Sequence, residues 1–261
     1  MPVSITATVL SGEAPAPVQV VITGMTAADL YEVHGTYGDF RWPLPGGRGV
    51  ATGDQVVLVD NRAPFNGEVA YTVTIDGTVT TSNAVELTAN TYAILQSLNG
   101  TARARVEIVD PDDARNYTSS VTLFKVDGRA DPVARIGVAS TAAMELRVEA
   151  DGTQAAALKA LLEEHAVLVR RNDVDVADRG IPPVEILVVT ARSDRLIGAT
   201  GTLRIFTLSV QVIGDPEPDT ALAAFDWDDF DTEYAGTSWN DFDTAWSASE
   251  WDAFDRVDYG A

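Results

Sequence analysis

Apolar and polar positions along residues 1–90 fall into short runs that alternate or are rich in β-branched residues: Ile5–Leu10, Val18–Ile22, Gln55–Val59 and Val69–Ile75. A period of two predicts half-buried strands. Proline- and glycine-rich breaks separate the runs, at Ala14-Pro15-Ala16-Pro17 and at Pro43-Leu44-Pro45-Gly46-Gly47. Asp76-Gly77 stands between Tyr71-Thr72-Val73-Thr74-Ile75 and Thr78-Val79-Thr80-Thr81. That dipeptide between two strand-like runs predicts a hairpin with a two-residue turn. Several short strands with frequent turns suggest a β-sandwich.

Residues 91–214 carry longer alternations. Ala102, Ala104, Val106 and Ile108 share one face against Arg103, Arg105 and Glu107. Met144, Leu146 and Val148 alternate with Glu145, Arg147 and Glu149, and Phe206, Leu208, Val210 and Val212 with Thr207, Ser209 and Gln211. Such patterns predict antiparallel strands with one wet face. Asn99-Gly100 marks a second hairpin, and the apolar run Val184–Val189 predicts a central strand. Between them, Ala157, Leu158, Leu161, Leu162 and His165 recur at helical spacing, predicting a helix over about 153–165 packed across the sheet. Lys159 and Glu163 form an i,i+4 pair on its other side. The stretch Ala63-Pro64-Phe65-Asn66-Gly67-Glu68-Val69-Ala70-Tyr71-Thr72-Val73 resembles the start of the last hairpin in fibronectin-type III or immunoglobulin-like modules. The expected fold is therefore mainly β. An immunoglobulin/fibronectin-III-like sandwich over 1–90 precedes an antiparallel β domain with one packed helix over 91–214.

Residues 215–261 break the pattern. The segment holds 14 acidic residues and one base, Arg256, and opens as the stiff acidic linker Asp215-Pro216-Glu217-Pro218-Asp219. A twelve-residue repeat follows, starting at Trp227, Trp239 and Trp251, with the shared core Trp-x-x-Phe-Asp. Trp227, Phe230 and Tyr234 are spaced i, i+3, i+7, as are Trp239, Phe242 and Trp246; Trp251 and Phe254 begin the last unit. On helices each set makes one aromatic stripe, and Asp226, Ser238 and Ser249 stand where N-caps belong. Helices this short are marginal in water. Burial of the aromatic rings must therefore hold them, at roughly 25 cal/mol per Å² removed from water. Trp227, Phe230, Tyr234, Trp239, Phe242, Trp246, Trp251 and Phe254 are the candidate protein-interaction residues, docking on this chain's own body, a second copy or another protein.

Charge and composition narrow the function. The chain has 261 residues, 18 basic against 39 acidic, and a formal charge of −21. That excess argues against a phosphate-binding face and against an anionic membrane surface. Cysteine is absent, which excludes disulfides, thiolate metal sites and a cysteine nucleophile. The N-terminus alternates like a strand, so no signal peptide is expected. Of the two histidines, His34 is expected on a strand, solvent-facing or hydrogen-bonded, and His165 at a helix end. The acidic groups Asp110, Asp112, Asp113 and Asp173, Asp175, Asp178 lack the order of a calcium loop. Tyr37, Phe40 and Trp42 suit a sugar-stacking surface or, preferably, core packing. No constellation indicates catalysis, a cofactor or a bound metal, so the chain is expected not to be an enzyme.

Three stretches together resemble minor tail proteins of long-tailed phages infecting actinobacteria: Tyr92-Ala93-Ile94-Leu95-Gln96-Ser97-Leu98-Asn99-Gly100, Leu203-Arg204-Ile205-Phe206-Thr207-Leu208-Ser209-Val210, and the Trp-x-x-Phe-Asp units. The resemblance implies a structural component of the tail tip, similar to distal tail proteins, which form rings around the tube. Its implied partners are other copies of itself and other tail proteins, and its implied location is the virion, assembled in the host cytoplasm. An immunoglobulin-like module placed first departs from the usual distal tail order. The alternative is a module binding host cell-wall glycan, with an exposed aromatic groove near Trp42.

Overall fold

The computed structural model describes residues 2–12, 14–109, 114–117, 121–125, 131, 133–136, 141–198, 201–217, 220 and 222. Two compact units divide the chain. The first holds Met1–Asn90, Arg171–Val184 and the chain from Asp215; the second holds Thr91–Arg170 and Glu185–Gly214. The sequence places residues 171–184 in the second domain, whereas their contacts place them in the first unit. The candidate residues Trp227, Phe230, Tyr234, Trp239, Phe242, Trp246, Trp251 and Phe254 lie outside the described residues, as do Asp110, Asp112 and Asp113.

The first unit contains β1 (Ser4–Val9), β2 (Val18–Thr23), β3 (Leu30–Tyr37), β4 (Phe40–Val50), β5 (Gln55–Asp60), β6 (Gly67–Ile75), β7 (Thr78–Thr81) and β8 (Val85–Leu87). One antiparallel sheet runs β1-β2-β5, the other β4-β3-β6-β7, with β8 also on β6. Alternation sends Ile5, Ala7, Val18, Val20, Ile22, Val33, Leu44, Val69 and Val73 into the core. The expected hairpin joins β6 to β7, with positive φ at both Asp76 (47°) and Gly77 (79°), as a two-residue turn of this type requires. Ala7 gives its backbone N–H to Asn83 Oδ1 and accepts from Asn83 Nδ2, both at 2.9 Å, so a side chain covers part of the β1 edge.

β4 corrects the sequence reading. Pro43-Leu44-Pro45-Gly46-Gly47 was expected as a break, yet it lies inside an 11-residue strand. β4 ends the sheet order, so a proline N–H is not needed on its outer side. The glycines fit close approaches. A Cβ on Gly47 would stand 2.9 Å from the Leu44 and Val33 carbonyl oxygens. Gly35 on β3 lies opposite Trp42 on β4, and a Cβ there would stand 2.1 Å from the indole.

The second unit is built on β9 (Ala93–Gln96), β10 (Arg103–Ile108), β11 (Val121–Phe124), β12 (Val133–Ile136), β13 (Ala143–Ala150), α1 (Gly152–Glu164), β14 (Val167–Asn172), β15 (Val184–Leu196) and β16 (Arg204–Ile213), except that Arg171 and Asn172 at the end of β14 and Val184 at the start of β15 belong to the first unit. Strands β11 and β12 pair as a separate ribbon. The other six close into a barrel in the order β10-β13-β16-β15-β14-β9. The sheet expected under a crossing helix is a closed one, because β9 returns to β14. Such a contact joins distant segments, and periodicity fixes faces rather than neighbours.

The faces follow the alternation. Ala104, Val106, Met144, Leu146, Val148, Phe206, Leu208 and Val210 enter the core, and α1 adds Ala155, Leu158, Leu161 and Leu162 to the same cluster. The helix ends where His165 donates its backbone N–H to the Leu161 carbonyl at 2.9 Å. β10 meets β13 over two residues, Glu107 opposite Glu149 and Ile108 opposite Val148. Nearer its start, β10 gives the Arg105 N–H to Gln154 Oε1 of α1 at 2.8 Å. The helix thus satisfies backbone that the barrel seam leaves open. β15 also runs beyond the expected Val184–Val189: Thr190–Leu196 continue against β16 with all seven side chains exposed.

Candidate functional site

Charged side chains dominate the buried polar groups. In the first unit, Asp60 ends β5 and is fully buried. Its Oδ2 accepts from Trp42 Nε1 at 2.8 Å and Tyr71 Oη at 3.0 Å, and its Oδ1 accepts from the Arg62 backbone N–H at 2.7 Å. A buried carboxylate needs such donors, since stripping its hydration without replacement costs several kcal/mol. Burial pushes the Tyr71 phenol well above its usual range. The Asp60 charge and hydrogen bond push the same way, against the lowering effect of the Arg171 guanidinium. Trp42 is 2% exposed and meets Tyr71 edge to face at 6.5 Å. It packs in the core and presents no face for stacking a sugar.

Beside this network lies the root of the C-terminal segment. The Arg62 guanidinium donates to the Asp215 carboxylate, with both side chains almost fully buried. Asp215 opens the stretch expected as a stiff acidic linker, and the structure makes that residue an anchor. The excursion 171–184 is held nearby in sequence register with Ala63–Asn66. Arg171 Nε donates to the Ala63 carbonyl at 2.8 Å, the Val174 N–H to the Phe65 carbonyl at 3.0 Å, and Asn66 Nδ2 to Asp173 Oδ2 at 2.6 Å. Asp173 also accepts from the Asp175 N–H at 3.0 Å, capping a short 3-10 turn over Val174–Arg179. Its carboxylate therefore acts as a local cap.

The second unit has a comparable knot. Glu185 accepts from Arg170 and, through both its oxygens, from Arg115. Arg170 and Glu185 are buried. None of these ion pairs was foreseen in the sequence. Their arginines and acids look like ordinary surface charges, and the signal that marks them is long-range pairing.

A groove of about 740 Å³ opens in the first unit, lined by Leu30, Tyr31, Glu32, Gly46, Arg48, Gly49, Val50, Thr74 and Asp76. Tyr31 projects its hydroxyl to within 3.5 Å of the Gly46 carbonyl, and Leu30 and Val50 are exposed at its rim. His34 lies on β3, with Nε2 3.8 Å from Glu32 Oε1. Among the described residues, no three His, Asp or Glu side chains converge as a metal site, and no helix is long and apolar enough to cross a membrane. No protein-family model, curated protein or solved structure matches the chain.

Proposed function

We propose that this chain is a structural subunit of a phage tail tip, assembled in the host cytoplasm and held to other copies and other tail proteins by its β domain and its C-terminal aromatic units. The observation that carries the reading is the anchored root: the acidic Trp-x-x-Phe-Asp segment leaves from Asp215, which Arg62 fixes in a buried ion pair. An arm fixed at its base and too short to make its own core is suited to hold a neighbour. We read the first unit as a fibronectin-type III-like sandwich. The strand orders β1-β2-β5 and β4-β3-β6-β7 support that, as do Trp42 and Tyr71 reaching Asp60 across the two sheets. The high negative charge keeps free subunits apart until specific contacts form.

The test compares the full chain with one ending at Glu217, which keeps Asp215. Sedimentation should give a larger assembly for the full chain. Identical assembly states for the two would overturn the reading.

A second reading, binding of host cell-wall glycan, has one observation in its favour: the groove sets the Tyr31 ring among Glu32, Arg48, Thr74 and Asp76, an aromatic body with polar partners. Tyr31→Ala should weaken binding to purified cell wall by about tenfold, equal to about 1.4 kcal/mol. No binding by the full chain contradicts it.

A further inference from the structure

β14 covers β15 up to Val189, as the ends of their pairing show. Asn172 N–H bonds the Pro183 carbonyl at 2.8 Å, and Val189 N–H bonds the Ala166 carbonyl at 2.8 Å. Thr190–Leu196 reach past β14. One side of this stretch pairs with β16 through Leu196 opposite Arg204, and among the described residues no strand pairs with the other side. An edge of seven residues with every side chain exposed is a template for another strand. Natural edges are commonly blocked by charge, and this one carries Arg192, Asp194 and Arg195. The order of those charges decides what the edge accepts.

We propose that Thr190–Leu196 pairs antiparallel with the same edge of a second copy, about a two-fold axis at Ser193. In that register Arg192 faces the second copy's Asp194 and Asp194 faces its Arg192, while Arg195 meets Ala191 and Leu196 meets Thr190. Directly opposed residues of an antiparallel pair share a face, so the two ion pairs form on one side of the joint sheet. Moving the axis to Arg192 sets guanidinium against guanidinium, and moving it to Asp194 sets carboxylate against carboxylate. The charges therefore exclude the neighbouring registers and favour this one. Asp194 already accepts from Arg204 of β16 within its own chain, and a carboxylate has acceptor sites for a second guanidinium. The contact is isologous, the same patch on both copies. It needs neither the C-terminal segment nor the tail reading.

The absence of cysteine makes the test clean. In the full chain, Ser193→Cys places one thiol opposite itself. Either class of antiparallel pair brings the Cα atoms within the 4.4–6.8 Å a disulfide needs, by general geometry. Arg195→Cys places the thiol opposite Ala191 and serves as the control. Under mild oxidation, Ser193→Cys should give covalent dimer at least about tenfold faster than the control, because pairing raises the local thiol concentration. Adding Arg192→Asp to Ser193→Cys sets acid against acid and should bring the rate down to the control's. Equal rates for the two cysteine variants, or a fast reaction that survives Arg192→Asp, overturns the proposal. A chain ending at Glu217 should cross-link at Ser193→Cys like the full chain, whatever becomes of its larger assembly.

Discussion

Tyr71, Gly35 and Asp215 each hold a place that their residue type alone does not announce. Tyr71 keeps its proton in the folded chain at pH values where an unfolded tyrosine, near 10.0, gives it up. A pKa raised by folding contributes stability below about pH 10 that is lost as pH climbs past that value. The urea midpoint should fall between about pH 9 and 11, and Tyr71→Phe should flatten that fall while lowering the midpoint at neutral pH by removing a donor from Asp60. A Tyr71→Phe variant with the parent's alkaline slope contradicts this assignment. Gly35 gives way to the Trp42 indole, so Gly35→Ala should destabilise by about 1–3 kcal/mol or more through overpacking. Trp42 is the one tryptophan before residue 227, which makes its emission in a chain ending at Glu217 a direct reporter. Asp215→Ala strands Arg62 in a buried site, and breaking such a pair costs about 3–5 kcal/mol. Unchanged unfolding would remove the anchor from the account.

Elements were legible where a single face is buried. The alternations 102–108, 144–148 and 206–212 and the stripe Leu158, Leu161, Leu162 each correspond to an inward face. β4 was not legible, because Pro43, Pro45, Gly46 and Gly47 signal a turn in isolation and are tolerated by an edge strand. The exposed half of β15 was not legible either, since Thr190–Leu196 has no apolar face to declare it; its strand form comes from β16. Closure of the barrel depends on β9 meeting β14, and on α1 lending Gln154 to the open seam of β10. Gln154→Ala should therefore cost about 1 kcal/mol and speed hydrogen exchange at the Arg105 amide. Unaltered exchange there would mean that the seam is closed by other means.

For the whole molecule, the sequence indicated a boundary near residue 90 but not the return of residues 171–184 to the first unit. Buried arginines such as Arg62 and Arg171 look the same in a sequence as solvated ones, and only their distant partners distinguish them. Residues 1–90 alone lack Arg171 beside Ala63 and Asp215 beside Arg62. They should unfold at lower urea than the chain ending at Glu217, with Trp42 emission as the probe in both. The proposed tail-tip role is tested most directly by immunogold electron microscopy, with antibody raised against residues 1–90, of the particles purified from a lysate that contains this chain. The account predicts gold at the end of the tail remote from the head. Gold on the head, or virions that carry none while the lysate holds free protein, would contradict it.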